Sequence, residues 1–395
     1  MKKKVVFRSG SLRMGGLERI LIEVLQTIDR EKYDIYLLIE DDCGKENIFE
    51  KDIPEGMKYF FLKPEPLIKK CRYHRERKSN LYHKIMYNLT MLKEERVVLE
   101  NSIKILKEIG EVDLLIDFDW GATKYIEKLP VKKSVVWIHN SVPKLKKKPG
   151  KIERFGKRLA KYDLVVGICD EMKEEIEKIY PFLKGKVERI YNPFNFERIE
   201  RLSLDRGDIS KGQEELLKEN YVVAVSRLDC VQKDYETLIE AFSLLKDRNI
   251  HEKLYIVGDG PDRNRIQKMI EKKGLEEQVK LIGLTKNPYI WMKNSDFFVH
   301  SSKYEGLPTV LIEAMICGKV VISSDCPTGP KEILRDGECG ILYPVGDTVA
   351  LADGIEKLLK DRELKEKFLK KIEKRREEFN KDRVIEEYQR LIEKI

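Results

Sequence analysis

The sequence predicts an α/β protein with two doubly wound parallel sheets. Short runs rich in Val, Ile and Leu alternate with helix-length amphipathic stretches, as in parallel strands joined by crossover helices. A chain of 395 residues is too long for one ordinary core, and its 42% hydrophobic residues can build two. The predicted strands are Lys4–Phe7, Ile35–Ile39, Leu114–Phe118, Ser134–Ile138 and Leu164–Ile168 in the first half, and Tyr221–Val225, Lys253–Val257, Val279–Ile282, Phe297–His300, Val320–Ser323 and Gly340–Tyr343 in the second.

A linker is predicted between the two sheets. The segment from Tyr191 to Asn220 has no clear strand and contains Pro193, Gly207 and Gly212, which interrupt regular structure. The end of the chain, from about Asp361, has the pattern of a charged amphipathic helix. We therefore expect one domain over residues 1–190, a linker and second domain over 191–374, and a final helix over 375–395.

The basic excess of the chain is local. Lys and Arg number 77 against 69 Asp and Glu, a net charge of +8. Residues 69–78 contain six basic residues and one Glu, and residues 144–158 contain eight basic residues and one Glu, so the rest of the chain is net −4. A nucleic-acid-binding protein is an alternative explanation of these segments, but no recognition motif accompanies them, and we expect no nucleic-acid partner.

The first basic segment combines charge with apolar residues. Residues 67–96 interleave Lys and Arg with Leu, Ile, Met and Tyr, a composition that suits an anionic membrane surface or a lipid pyrophosphate. A solvated charged helix is the alternative, and it stays open. The residues expected at an acceptor or membrane surface here are Lys69, Lys70, Arg72, Arg75 and Arg77.

Cysteine usage and hydropathy indicate the compartment. The seven Cys are odd in number and never spaced as CxxC, which excludes a zinc ribbon and argues against a secreted disulfide scaffold. The start MKKKVVFRSG is too short in apolar residues for a signal peptide, and no run of about 18 apolar residues occurs. We expect a cytoplasmic protein that contacts the inner face of the cell membrane only peripherally.

The first strand-to-helix turn contains two adjacent glycines. Gly15 and Gly16 directly precede a helical pattern, so backbone N–H groups at that helix start are open to an anion. A tight turn with nothing bound is the alternative. The corresponding turn of the second half places Arg227 after a strand and Lys233 before a helix, and two cations at that edge of a parallel sheet suit a diphosphate.

The strongest cluster of polar residues is EGLPTVLIE, after the strand that ends at His300. A helix is predicted to begin here, so the N–H groups of Thr309 and Val310 lie in its first turn, where they can face a bound ligand. Glu305 precedes the helix, and Glu313 lies inside it among apolar neighbours. A carboxylate in that position needs a hydroxyl or cationic partner, and an exposed helix-face Glu is the alternative.

Asp117-Phe118-Asp119 is a DxD sequence, a pattern that can chelate a divalent metal. Here it ends a strand of the first half, far in sequence from the phosphate-binding candidates, and the sequence shows no third ligand nearby. We therefore expect no metal site, and we assign Asp119 or Trp120 to contact with an acceptor.

Together these motifs resemble the retaining glycosyltransferases of family 4. The matching pieces are GGLER, SRL-x4-K, IVGDGP, LIGLT and E-x7-E, which occur in the family's order over nearly the whole chain. The resemblance implies the GT-B fold, in which two Rossmann-like domains with parallel sheets face each other across a cleft. It also implies an N-terminal acceptor-side domain, a C-terminal nucleotide-sugar-binding domain, and a final helix that packs back on the N-terminal domain.

The resemblance further implies residue roles. Arg227 and Lys233 would hold the donor diphosphate, aided by N–H groups at two helix starts. Those N–H groups belong to Gly15, Gly16, Thr309 and Val310.

The other roles concern the donor's sugar and nucleoside. Glu305 would contact the donor sugar, Glu313 the ribose, and the backbone at Leu284 the base. His139, in VVWIHNS, would approach the donor sugar and phosphate, with an ordinary loop histidine as the alternative. The implied catalytic set is Glu305, His139, Arg227 and Lys233.

The implied reaction moves a sugar, an N-acetylhexosamine or hexose, from a UDP-linked donor to a lipid-linked or cell-surface glycan. Neither a cofactor nor a metal is implied, and SSDCPTGPKEIL resembles the subset that transfers N-acetylhexosamines. A sugar-nucleotide epimerase of the same fold is the alternative enzyme. It needs more acid and base groups than five His residues readily supply.

Overall fold

The structure is a computed structural model that describes residues 2–146, 148–207 and 209–395. Lys147, in the second basic segment, lies outside the described residues. The chain forms two compact units. One comprises Met1–Phe194 and Lys381–Ile395, and the other comprises Asn195–Asn380.

The first unit contains a parallel sheet of seven strands in the order β3-β2-β1-β4-β5-β6-β7. Its interior strands are buried on both faces, as the apolar runs predict, and Val5, Val6 and Phe7 of the first strand are fully buried. Its elements are β1 Lys3–Ser9, α1 Gly16–Thr27, β2 Tyr33–Asp41, β3 Lys58–Lys63, α2 Glu65–Glu76, α3 Leu81–Ile109, β4 Val112–Asp117, β5 Val131–Ile138, α4 Val142–Leu145, α5 Pro149–Leu159, β6 Leu164–Gly167, α6 Asp170–Ile179 and β7 Val187–Arg189.

The second unit contains a parallel sheet of six strands in the order β10-β9-β8-β11-β12-β13. Its elements are α7 Phe196–Leu204, α8 Lys211–Leu216, β8 Tyr221–Val225, α9 Tyr235–Asp247, β9 Lys253–Val257, α10 Arg263–Lys272, β10 Val279–Gly283, α11 Tyr289–Asn294, β11 Phe298–His300, α12 Thr309–Ile316, β12 Val321–Ser324, α13 Pro330–Ile333, β13 Gly340–Tyr343, α14 Thr348–Lys360 and α15 Arg362–Arg376.

The last helix, α16 Lys381–Lys394, belongs to the first unit. The ring of Tyr388 stacks on Trp137 of β5 with centroids 5.0 Å apart, and both side chains are buried. Glu387 pairs with Arg189 of β7 at 3.1 Å. The charged tail is therefore two helices, α15 in the second unit and α16 in the first, separated by a 3-10 turn at Glu377–Phe379.

The predicted α/β class with two parallel sheets is confirmed, and each predicted strand is present with shifts of a few residues at its ends. Two strands of the described chain were not predicted. Lys58–Lys63 begins with exposed residues and lies at the sheet edge, and Val187–Arg189 has only three residues. Neither has the apolar run that marks an interior strand.

Candidate functional site

The loops that leave β8, β9, β11 and β12 lie at the carboxyl edge of the second sheet. The strand order reverses between β8 and β11, and doubly wound sheets bind ligands at such a reversal. The loops after these two strands are joined by backbone contacts. Lys233 and Ser302 form an isolated antiparallel bridge, and the amide of Asp234 donates to the carbonyl of Ser301 at 3.0 Å.

Arg227 lies in the loop after β8, and 66% of its side chain is exposed. Its guanidinium donates to Asp229 Oδ2 at 2.5 Å. The IVGDGP turn packs against this loop so closely that side chains are excluded. A Cβ on Gly258 would lie 2.0 Å from the carbonyl oxygen of Ser226, and the φ angle of Gly258 is +140°. The glycines of the IVGDGP turn therefore allow it to pack directly on the loop after β8.

Lys233 forms a buried ion pair with Glu305, because its Nζ contacts Oε1 of that carboxylate. Glu305 also accepts hydrogen bonds from Ser302 Oγ at 2.7 Å, from Gln232 Nε2 at 3.0 Å and from His300 Nε2 at 3.2 Å. Burial alone would raise the pKa of Glu305, but the hydrogen bond from His300 and the charge of Lys233 hold that pKa at about 2. Glu305 is therefore ionised at neutral pH.

His300, Ser302 and Gln232 were not identified from the sequence. His300 is buried, and burial lowers its pKa, so the imidazole is neutral. Because the Glu305 carboxylate only accepts, we place the imidazole proton on Nε2 and leave Nδ1 to face the Ser323 hydroxyl at 3.1 Å. The sequence signal was a histidine at the carboxyl end of an apolar strand, five residues before Glu305.

The start of α12 lies directly after this cluster. Pro308 caps the helix, and the N–H groups of the first turn, including those of Thr309 and Val310, have no acceptor inside the helix. The turn after β12 presses on this segment, since a Cβ on Gly329 would lie 2.6 Å from the carbonyl oxygen of Gly306. The arrangement is a helix N-terminus suited to an anion, beside the Lys233 ammonium.

Glu313 and Leu284 lie in the same unit. Burial raises the pKa of Glu313 to about 7, against the opposing charge of Arg198. Leu284 follows β10, and 75% of its surface is exposed. Glu313 is thus poised to change ionisation near neutral pH, while Leu284 is an apolar residue left at the surface.

In the first unit, Gly15 caps α1 and Gly16 begins it. The carboxylate of Glu18 folds back on this helix start, because a Cβ on Gly15 would lie 2.1 Å from its Oε2. The Ser11 hydroxyl donates to the same carboxylate at 3.0 Å. Glu18 therefore already places a negative charge at the helix start where an anion was predicted.

His139 directly follows β5 in the first unit, and its side chain is buried. Its Nε2 lies 2.8 Å from the carbonyl oxygen of Phe118, so this nitrogen carries the proton and donates. Burial lowers the pKa of His139 to about 4. The side chain is neutral at pH 7, and only 7% of the residue is accessible.

The two aspartates of the DxD sequence lie beside a buried arginine, Arg8, that was not identified from the sequence. Arg8 contacts Asp119, lies 3.4 Å from Asp117, and also contacts Glu40, a third acid brought in by β2. Burial raises the pKa of Asp117 to about 6, although Arg8 opposes that rise. Among residues 2–146, 148–207 and 209–395, no group of three or more His, Cys, Asp or Glu side chains is arranged to hold a metal ion.

The basic segment forms α2 and the turn after it. Lys69, Lys70, Arg75 and Arg77 are exposed, and Arg72 is partly buried. Lys69 pairs with Glu65 on its own helix at 2.9 Å, and Arg77 lies over the ring of Tyr73 at 4.0 Å. Most of these cations therefore face solvent.

Comparison with known proteins identifies the family. The model of the glycosyl transferases group 1 family matches residues 205–375, which include the loop cluster described above. An uncharacterised glycosyltransferase of Methanocaldococcus jannaschii is 30% identical over 345 residues, covering 75% of this chain and 83% of the relative. This chain belongs to the group 1 glycosyltransferases.

One further relative and one solved structure match this group 1 glycosyltransferase over nearly its whole length. A Campylobacter jejuni enzyme, named as an N-acetylgalactosaminyltransferase acting on a diphospho-undecaprenol-linked sugar, is 26% identical over 380 residues and 95% of both chains. The structure of Anabaena HepE in complex with UDP superposes with a TM-score of 0.75 at 20% identity, covering 100% of both chains. The predicted GT-B fold is confirmed by this likeness.

Proposed function

We propose that this glycosyltransferase moves a sugar from a UDP-sugar to a lipid-linked or cell-surface glycan, with retention of the anomeric configuration. The observation that carries the proposal is the buried Lys233–Glu305 pair at the start of α12, where a cation, an ionised carboxylate and free N–H groups adjoin. The Campylobacter relative's acceptor and the UDP bound by HepE support the choice of substrates.

The first step to explain is departure of the nucleotide. When the bond from the anomeric carbon to the phosphate oxygen breaks, negative charge collects on the diphosphate. We propose that Arg227, Lys233 and the N–H groups of Thr309 and Val310 stabilise that charge. We propose that these groups perform the role that a divalent metal has elsewhere, so that the reaction needs no metal.

The role we propose for Glu305 is to orient the donor sugar. Its pKa of about 2 keeps it ionised, and an ionised carboxylate accepts hydrogen bonds from sugar hydroxyls. Two of its existing partners, Lys233 and Gln232, belong to the loop after β8, so a sugar bound here would be tied to the diphosphate-binding loop. Attack of the acceptor hydroxyl on the face that the leaving diphosphate occupied gives retention.

We also propose roles for the remaining donor contacts. We assign Glu313 to the ribose hydroxyls, the backbone at Leu284 to the base, and Gly15 and Gly16 to the phosphates. His139 is neutral with its proton on Nε2, which leaves Nδ1 as an acceptor for a donor-sugar hydroxyl. Asp119, at the carboxyl edge of the first sheet, is our acceptor contact.

We further propose that the first unit docks peripherally on an anionic membrane, at the inner face of the cell membrane, where a lipid-linked acceptor would be found. No helix among the described residues is long and apolar enough to span a bilayer. One face of α3 is apolar yet exposed, and α3 packs against α2, which carries the cations. The exposed residues on this face are Leu81, Ile85, Leu89 and Leu92.

A sugar-nucleotide epimerase is the second candidate, and product mass separates the two. The protein is incubated with a panel of UDP-sugars and a membrane lipid extract, and products are analysed by mass spectrometry. A glycosyltransferase gives UDP together with a lipid or glycan heavier by one sugar, and Arg227→Ala should form that product much more slowly. An isomerised UDP-sugar, or UDP with free sugar only, would contradict the proposal.

A further inference from the structure

A second polar pocket lies wholly within the first unit, at the carboxyl edge of its sheet. The cavity is about 160 Å³. Arg13 reaches it from the loop after β1, and Lys63 from the end of β3. The helical hairpin of α2 and α3 covers it, with Arg72, Arg75 and Tyr87 among its lining residues. We call it the hairpin pocket.

Helical spacing explains which residues of the two helices line the hairpin pocket. On α2, Arg72 and Arg75 are three residues apart and line the pocket, together with Ile68 and Cys71 one turn earlier. Lys69 and Lys70 do not line it. The basic segment, which the sequence presents as one cluster, is therefore divided into Arg72 and Arg75, which line the pocket, and Lys69 and Lys70, which do not.

The helix α3 likewise has one face that lines the pocket and another that is exposed. Tyr87, Met91 and Glu94 line the pocket at spacings of four and three residues. At about 100° per residue, they lie about half a turn around the helix from the exposed Ile85 and Leu89. The helix thus turns its pocket residues inward and its exposed apolar residues outward.

The cations of the pocket differ in how far they are neutralised. Lys63 is only 8% exposed, and its ammonium lies 3.0 Å from Glu40, 2.7 Å from Asp41 and 3.4 Å from Glu94. The charge of this lysine is therefore balanced by three carboxylates, of which Asp41 and Glu94 line the pocket. Lys63 can hold the pocket together but has little positive charge to offer a ligand.

The three arginines that line the pocket, Arg13, Arg72 and Arg75, are paired with carboxylates much more weakly than Lys63 is. Arg13 lies 3.6 Å from Asp41 and 3.7 Å from the exposed Glu46, and Arg72 lies 3.5 Å from Glu46, all beyond good hydrogen-bond length. In the part of the chain that the structure describes, no carboxylate lies within 4.0 Å of Arg75. Three guanidinium groups therefore converge on one cavity with unused donors.

We propose that the hairpin pocket binds a phosphate group of the acceptor substrate through Arg13, Arg72 and Arg75. A planar guanidinium group can donate two parallel hydrogen bonds to two oxygens of one phosphate. The negative charge of a phosphate would also balance the positive charge of the three arginines, which nearby carboxylates pair only loosely. The inference rests on the proposed function, since it assumes an acceptor. It identifies that acceptor as phosphorylated and gives it a site in the first unit whose lining includes none of the residues that we assign to the donor.

The test measures phosphate binding with the donor site filled. The full-length protein is saturated with UDP and titrated by calorimetry with inorganic pyrophosphate and, separately, with farnesyl diphosphate. The variants are Arg72→Gln with Arg75→Gln, and Arg13→Gln on a different loop. The control is Arg96→Gln on α3, whose side chain pairs with Glu100 at 2.7 Å and does not line the pocket.

We expect the wild type to bind both probes, and the double variant to bind each at least tenfold more weakly. Arg13→Gln should weaken binding as well, while Arg96→Gln and the affinity for UDP stay unchanged. Tighter binding of farnesyl diphosphate than pyrophosphate would identify a lipid diphosphate as the source, and equal binding would identify a soluble phosphate.

The proposal is overturned if the UDP-saturated wild type binds neither probe, or if the folded double variant, checked by circular dichroism, binds as the wild type does. Failure of UDP itself to bind would contradict the proposed function instead. In that case, dependence of pyrophosphate binding on Arg72 and Arg75 would still support the pocket.

Discussion

The ammonium of Lys233 and the carboxylate of Glu305 form an ion pair across 72 positions of sequence, with 12% and 9% of their side chains exposed. The pair ties the loop after β8 to the segment that starts α12. We propose that the two residues contact the diphosphate and the donor sugar respectively. Their pairing means that a change to either one alters the electrostatics of both.

Lys233→Ala should reduce both stability and turnover. Removing one partner of a buried pair costs about 3 to 5 kcal/mol, although His300, Ser302 and Gln232 continue to hydrogen-bond Glu305. Adding Glu305→Gln removes the stranded charge, so the double variant should regain much of the thermal stability while transfer stays roughly 10²-fold or more below wild type. Thermal unfolding and initial rates of transfer measure the two effects. Recovery of transfer in the double variant would show that neither side chain acts in the reaction.

Arg227→Ala should affect turnover alone. Its side chain is 66% exposed, so its loss leaves no buried group unpaired and the unfolding temperature should stay within about one degree of wild type. Loss of a cation directed at the leaving diphosphate should lower kcat roughly 10²-fold. Arg265→Ala is the matched control, because Arg265 is also an exposed arginine of this unit that pairs with an acid, Glu236. Equal rates for the two variants would contradict the role of Arg227.

Binding of UDP should weaken as the pH falls through 7. The pKa of Glu313 is about 7 in the free protein, above its ordinary value of 4.5, so the group is mostly protonated below pH 7 and ionised above it. Ribose hydroxyls donate more strongly to a carboxylate than to a carboxylic acid, so bound UDP should lower this pKa. Each unit of lowering corresponds to about a tenfold change in affinity.

The matched control for this pH dependence is Glu313→Gln. The phosphates of UDP titrate equally with either protein, so the ratio of wild-type to variant affinity isolates the contribution of Glu313. We expect that ratio, measured by calorimetry, to rise between pH 5.5 and pH 8. A ratio independent of pH would place the ribose elsewhere.

Transfer should continue in the presence of excess EDTA. Arg227, Lys233 and the start of α12 are proposed to stabilise the leaving diphosphate, so removal of divalent ions should leave the initial rate within about twofold. The measurement compares EDTA-treated protein with the same protein supplied with Mg²⁺ or Mn²⁺. Complete loss of transfer with EDTA, restored by either ion, would identify a metal-dependent reaction.

Association with anionic vesicles should depend on both outward-facing sets of the α2–α3 hairpin. Each cation near the membrane contributes about 1 kcal/mol, so Lys69→Ser, Lys70→Ser and Arg77→Ser together should reduce co-sedimentation strongly. Ile85→Ser with Leu89→Ser should reduce it by removing apolar contact. Binding should also fade between 0.1 M and 1 M salt, as the Debye length falls from about 10 Å to about 3 Å.

Arg96→Ser, an exposed change on α3, is the control for vesicle binding. Unchanged sedimentation of the triple variant would mean that the basic segment is a solvated face. In that event the acceptor is better sought among soluble molecules.

Local patterns were enough to predict the sheets and the edges at which polar residues gather. Buried apolar runs such as Tyr221–Val225 mark interior strands, and Arg227, Lys233 and Glu305 each follow one. What one sequence does not contain is pairing at long range. The contact between Lys233 and Glu305 depends on the neighbouring places of β8 and β11 in the sheet, and no local pattern encodes that order.

The same limit explains the arginine that went unrecognised. Arg8 occupies a strand position next to a Gly-containing turn, and nothing near it in sequence is acidic. The sheet order β2-β1-β4 places it between Glu40 and Asp117, where charge balance requires a cation. The basic segment shows the reverse case, because the sequence supplied the cations and only the helix geometry divided them into two sets.

The stacking of Tyr388 on Trp137 has a consequence for biogenesis. Because α16 is synthesised after the whole second unit, the first unit leaves the ribosome first yet acquires its last core helix late. Until then Trp137 lacks its covering ring, and the nascent first unit exposes apolar surface while its neighbour folds. Chaperone dependence during translation should therefore be centred on the first unit, and moving the α16 segment to directly follow residue 194 would allow that unit to fold on emergence.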